Sequence, residues 1–226
     1  MIPTPDDAQA VIVFGPTGTA GAGAVDACLS DPTITEVRAV TRRPLGVSHP
    51  RLREVRCADF ARLDDIASHF AGVLGCLFCL GTSVRNVRDE DEYRHIHVIY
   101  ALAAARALRA TSNDAAFIYL SGAGAHRTSR MMWARVKAEA EDRLADVGPG
   151  RHANVRPAAI LPMHPTGLER LLLAPLVRAI PALGIPSRDL GRAMLRLAVT
   201  RDWTGTRTLE NRELRALARA AAVPPP

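Results

Sequence analysis

Short, unbroken apolar runs alternate along the chain with segments whose apolar residues recur at helical spacing. Residues 10–14 (AVIVF), 74–80 (LGCLFCL) and 115–120 (AAFIYL) read as strands buried on both faces. Residues 33–40 (TITEVRAV) alternate apolar and polar, as a half-buried strand does. Residues 53–57 form a shorter strand, and 153–155 the last clear one. Between them, residues 19–29, 64–70, 91–110 and 130–147 have helical patterning, the third long and Ala-rich. Segments 187–199 and 209–222 close the chain as helices. Continuous apolar strands separated by helices predict an α/β fold: a doubly wound parallel sheet with helices on both faces.

After Pro157 the texture changes. Prolines at 162, 165, 175, 181 and 186 interrupt Leu-rich segments, which predicts loops and short helices forming a substrate-side cleft wall over about 158–190. No repeat or linker divides the 226 residues, so a single domain over 1–226 is expected. The opening MIPTPDDAQ is short, acidic and broken by proline, unlike a signal peptide, and no apolar run is long enough to span a bilayer. These features predict a cytoplasmic protein with no membrane partner.

The net charge is +6, and the only lysine among 29 basic residues is Lys137. The arginines are scattered and aromatics make up only 4%, which argues against nucleic acid as a partner. Cys76 and Cys79 form a C-x-x-C inside an apolar strand, where buried structural thiols are expected rather than a redox or metal site.

The turn after the first strand, GPTGTAG, carries the candidate chemistry. Gly15, Gly18 and Gly21 stand at G-x-x-G-x-x-G spacing between a strand and a helix, with Thr17 and Thr19 interleaved. Such a turn brings backbone close to a pyrophosphate and aims a helix N-terminus at it. At the end of the second strand, Thr41, Arg42 and Arg43 occupy the region where an NAD-preferring site places an acid. Guanidinium groups there favour the 2′-phosphate of NADP(H) over NAD(H), the alternative being solvated loop arginines. Asp59, in CADF, is a candidate acceptor for the adenine amino group or a cap for the helix that follows.

Together GPTGTAG, TRRP, CADF, CLGTSVR, YLSGAGAHRTSRMMWARVKAEAE, VRPAAILP and TLENRELRAL resemble, in order and nearly end to end, an atypical short-chain dehydrogenase/reductase. They match the NAD(P)H-binding branch typified by Tat-interacting oxidoreductase-like proteins. The resemblance implies a Rossmann-type domain with Leu80, Gly81 and Thr82 lining the cofactor, and Arg156 and Pro157 beside its nicotinamide end. It implies a catalytic serine, tyrosine and lysine. Ser121 and Lys137 match, but Trp133 occupies the tyrosine position, and Gly122 replaces a second serine often found there.

Indole is a hydrogen-bond donor only and cannot serve as an acid/base near neutral pH. His126, in the loop after Ser121, is the nearest replacement acid, and Lys137 is expected to hold the nicotinamide ribose. The sequence therefore predicts an NADP(H)-binding oxidoreductase-like protein with a non-standard active site and a small-molecule substrate. A non-catalytic NADP(H) sensor and a nucleotide-sugar epimerase or dehydratase are the rivals, and a homodimer stays open. His95 and His97, two residues apart on a helix, do not share a face for metal binding.

Overall fold

The computed structural model describes residues 9–164 and 180–220, together with Gly167 and Val177. Seven parallel strands form one sheet in the order β3-β2-β1-β4-β5-β6-β9. They are β1 (Ala10–Phe14), β2 (Glu36–Thr41), β3 (Leu52–Arg56), β4 (Val73–Phe78), β5 (Ala116–Leu120), β6 (Arg151–Arg156) and β9 (Gly205–Glu210). Two short strands, β7 (Ala159–Leu161) and β8 (Gly184–Pro186), pair separately. The chain order reverses between β1 and β4, the place where sheets of this kind bind ligands beyond their carboxyl ends.

Every residue of β1 and β4 is buried, as expected for central strands covered on both faces. Period-two alternation divides them between two cores. Ile12, Phe14 and Phe78 face α3 (Tyr100–Thr111) and α4 (Met132–Val147). On that side Phe14, Phe78 and Phe117 run across three strands, with ring centroids 5.4 and 5.8 Å apart. Val11, Val13 and Leu77 face α1 (Thr19–Ser30) and α5 (Ser187–Val199).

The helices α1 and α5 meet through glycine. A methyl group at Gly23 would overlap the Ser187 carbonyl, and one at Gly191 would overlap the Gly23 carbonyl. The closeness of these backbones explains why α1 is built from Ala and Gly (TAGAGAVDACLS).

Several expected boundaries move, each for a local reason. Strand β2 begins at Glu36 rather than 33, because the Asp31 carboxylate accepts hydrogen bonds from the Thr33 N–H at 2.9 Å and its hydroxyl at 2.6 Å, holding a turn. Segment 64–70 is a 3₁₀ helix. The long helix expected over 91–110 spans 90–111 as α2 (Glu90–Arg94), a π turn (His95–Ile99) and α3.

Strand β9 lies beyond the last strand expected from the pattern. Its sequence GTRTLE buries only Leu209, because it is an edge strand with an exposed face, so no apolar run announces it. In consequence the final helix, α6 (Asn211–Ala220), starts two residues later than expected. Of the expected cleft wall at 158–190, residues 165–166, 168–176 and 178–179 lie outside the described residues, and the described part carries β7, β8 and the start of α5. Among those described, no helix is long and apolar enough to cross a membrane.

Replacing Gly191 with Ala should cost about 1–3 kcal/mol of stability, the usual penalty for overpacking a tight core contact. Urea denaturation followed by circular dichroism would measure it. An unchanged midpoint would mean that the helices separate without cost.

Candidate active site

Phe14 ends β1, and the chain then turns through Gly15 at φ +72°. A Cβ on Gly15 would stand 2.8 Å from Leu80 N and Cα, so the turn lies directly against the end of β4. Gly21 has no room for a side chain either, since a methyl there would overlap Gly15 O. Thr17, Gly18 and Thr19 between them are exposed. Helix α1 starts after Gly18 with neither a side-chain cap nor an acid in its first turn. First-turn N–H groups with no internal acceptor and a positive dipole end therefore face outward over a bare backbone surface, which suits a phosphate group.

A cleft of about 610 Å³ opens beside this turn, lined by Arg42, Phe60, Gly81, Thr82, His95 and Tyr100 among others. Arg42 holds its guanidinium 5.7 Å from the Phe60 ring centroid, and its carbonyl accepts a 2.5 Å bond from Arg56. Thr41 is buried and spends its hydroxyl on Arg43 O at 2.9 Å, which shapes the loop. Arg43 is exposed and makes no side-chain bond among the described residues.

Asp59 lies outside this cleft. It lines a second one with Arg62 and Asp65, where its carboxylate accepts from Ala61 N at 2.9 Å and Arg62 Nε at 3.2 Å. The side chain therefore stabilises the turn ahead of the 3₁₀ helix.

Beyond β5 the loop 121–131 leads into α4. Ser121 N and Ala123 N donate to Val155 O and Pro157 O, at 2.9 and 3.0 Å, which ties this loop to the end of β6. Ser121 Oγ is buried with no hydrogen-bond partner among the described residues. Trp133 is half-buried, and its indole covers the glycine-rich loop. A Cβ at Gly122 would lie 3.4 Å from its Cζ3, and one at Gly124 3.8 Å from its Cη2. Its N–H makes no hydrogen bond among the described residues. His126 is exposed, with Nδ1 held 3.0 Å from the Thr128 hydroxyl.

Lys137 is buried, one turn after Trp133. Its Nζ donates to Leu120 O at 2.6 Å and lies 4.8 Å from the centre of the Tyr119 ring. Burial lowers its pKa from 10.5 to about 7, against the opposing pulls of Glu141 and Cys79. Glu141 does not fully compensate, because Arg156 grips it with two bonds of 2.9 and 2.5 Å and also reaches Glu210 at 3.2 Å. Arg156 thus turns to this ion pair at the edge of the sheet. Burial raises the thiols of all four cysteines, Cys79 to about 12, and all four are free.

Sequence reasoning set His97 aside as one of a pair unsuited to metal, and gave no role to Glu141. The i, i+4 spacing of Lys137 and Glu141 was readable, but their shared burial was not. His97 is 2% exposed and touches the loop after β4, a contact that only the folded chain creates. His95 points the other way, onto the cleft wall.

No protein-family model matches the chain. Among curated proteins it is similar to leucinostatins biosynthesis cluster protein T of Purpureocillium lilacinum. The two are 30% identical over 137 residues, 59% of this chain and 50% of that one. It is also similar to protein HTATIP2 of Rattus norvegicus, at 26% identity over 155 residues, 68% of this chain and 63% of that one. The chain thus spans between half and two thirds of these relatives. Among solved structures, uronate dehydrogenase from Agrobacterium tumefaciens superposes with a TM-score of 0.67 at 17% identity, covering 97% of this chain and 91% of that one. A mutant of that enzyme has been solved with NAD.

A buried ammonium whose pKa drops on folding costs stability for as long as it stays protonated. For Lys137 the cost is full below about pH 7 and fades as pH climbs to 10.5, where the unfolded chain also loses the proton. Lys137→Met should therefore melt above the wild type at pH 6, with the gap closing towards pH 10. Thermal melts across that range would show it, and a constant gap would contradict the assignment.

Proposed function

We propose that this chain, which has the short-chain dehydrogenase/reductase-like fold, is an NADP(H)-binding oxidoreductase whose active site works without the usual tyrosine. The observation that carries the reading is the uncapped start of α1 above a turn in which Gly15 and Gly21 leave no space for side chains. The residues present fit a dinucleotide. Thr17, Gly18 and Thr19 would receive its phosphates, while Leu80, Gly81 and Thr82 would flank its adenosine half. Pro157 would stand at its nicotinamide end. The NAD held by a mutant of the uronate dehydrogenase supports a nicotinamide cofactor. Arg42 and Arg43, with no acid at the end of β2, support a preference for NADP(H).

When bound, the nicotinamide supplies or accepts hydride. Lys137 would hold its ribose. The Oγ of Ser121, unpartnered among the described residues, and the indole N–H of Trp133 would orient the substrate oxygen. Trp133 cannot exchange its proton, so the proton at that oxygen would come from His126 or from water. The substrate is a small carbonyl or alcohol compound.

A second reading, a protein that senses NADP(H) without catalysis, draws on the same Trp133, whose ring covers the loop where a reacting group would stand.

Calorimetric titration with NADPH and NADH tests the cofactor. NADPH should bind more tightly than NADH, and Arg42→Ala should weaken NADPH roughly tenfold or more while leaving NADH unchanged. If neither dinucleotide bound at millimolar concentration, the oxidoreductase reading would fail.

Trp133→Tyr separates the enzyme from the sensor. In an enzyme it should raise carbonyl-reductase turnover by about 10²-fold or more, the usual contribution of a positioned acid. Silence of both proteins across a carbonyl panel, with NADPH bound, would favour the sensor.

A further inference from the structure

His97 belongs to the π turn that interrupts the long helix, where Tyr100 N–H donates to His95 O five residues back. The turn directs His97 inward, towards the segment that leaves β4. Its Nε2 lies 3.2 Å from Thr82 N and 3.1 Å from Thr82 O, so one ring nitrogen faces both polar groups of a single residue. Two further contacts hold the ring. It packs on Tyr93 with centroids 4.1 Å apart, and a Cβ at Gly81 would meet its Cε1 at 2.6 Å. The Tyr119 hydroxyl donates to the His97 carbonyl at 3.1 Å, which anchors the π turn to β5.

Gly81 and Thr82 line the cleft together with Arg42, as do His95, Ile96 and Tyr100 from the π turn and the start of α3. The same five-residue turn thus lines the cleft and fastens another part of its lining. We propose that His97 is the positioning residue of the nucleotide cleft. It sets the Gly81–Thr82 main chain at the distance from Arg42 and Tyr100 that a dinucleotide requires. This inference rests on the cofactor reading above.

The choice of histidine has a consequence. A neutral imidazole nitrogen either accepts from Thr82 N–H or donates to Thr82 O, never both. Burial first, and then the charge of Lys137, lowers the pKa of the ring to about 2, so it stays neutral and cannot gain a second donor. The ring therefore serves only one of the two Thr82 backbone groups at a time, and Nδ1 has no partner among the described residues. A glutamine amide reaches as far as Nε2 and carries a donor and an acceptor together. Glutamine should therefore hold Thr82 at least as well as histidine does, whereas leucine fills similar space without holding it.

The experiment compares wild type, His97→Gln and His97→Leu by NADPH titration and by hydrogen exchange at the Thr82 amide in the unliganded protein. His97→Leu should weaken NADPH by about tenfold or more, the cost of freeing the half-buried Thr82 backbone from its hydrogen bond, and should speed Thr82 exchange. His97→Gln should match or exceed the wild type in both measurements. Binding by His97→Leu equal to wild type overturns the proposal. So does a Gln variant as weak as Leu, which would make the residue mere packing. If Leu fails to fold, Gln against wild type still decides, because weaker binding or faster exchange in Gln overturns the clamp. A wild type that binds no dinucleotide defeats the oxidoreductase reading and the cofactor half of this inference. Thr82 exchange then reads the clamp alone.

Discussion

The architecture depends on how closely backbone is allowed to approach backbone around α1. At its start, Gly21 lies on the Gly15 carbonyl, and Gly15 in turn lies against Cys79 and Leu80. Two residues later, Gly23 meets Ser187 and Gly191 of α5. These contacts admit no side chain, so the first strand, the fourth strand, the first helix and the fifth are fixed relative to one another by main-chain atoms. Main chain is the least adjustable part of a protein, and a turn held this way keeps its shape whether or not a ligand is bound. The exposed N–H groups at the start of α1 inherit that rigidity.

The opposite face of the sheet is organised around a different problem, a charge out of water. Lys137 enters the core with one backbone acceptor, an aromatic ring beneath it and a carboxylate already shared with Arg156. A buried ammonium served this sparingly is poised between its charged and neutral forms, unlike a surface lysine. Groups that could accept from it would shift that balance towards the charge. The unpartnered Ser121 Oγ lies next in sequence to Leu120, whose carbonyl Lys137 holds. Polar capacity is thus left unused at the carboxyl ends of the strands among the described residues.

Trp133 packs over the loop that follows β5. Its ring packs where Gly122 and Gly124 lack side chains, so tryptophan and the two glycines fit one another. A larger residue at 122 would press on the indole.

The strands buried on both faces and the glycine turn were legible because each leaves a local mark: an apolar run, a spacing. Strand β9 was not, since an edge strand such as GTRTLE has no need to be apolar, and neither was the start of β2, where Asp31 holds Thr33 in a turn. Asp59 had two readings in sequence, and the fold joins it to Ala61 and Arg62.

His97 had no sequence signature at all. Its partner Thr82 is fifteen residues away, and the π turn that aims it is a property of the folded helix. The sequence by itself determined the fold class and the order of its elements, because burial periodicity and glycine sterics act between near neighbours. The tertiary structure alone decided which side chains share charge, which lose their water and which hold a loop in place, because those effects arise only when distant segments meet.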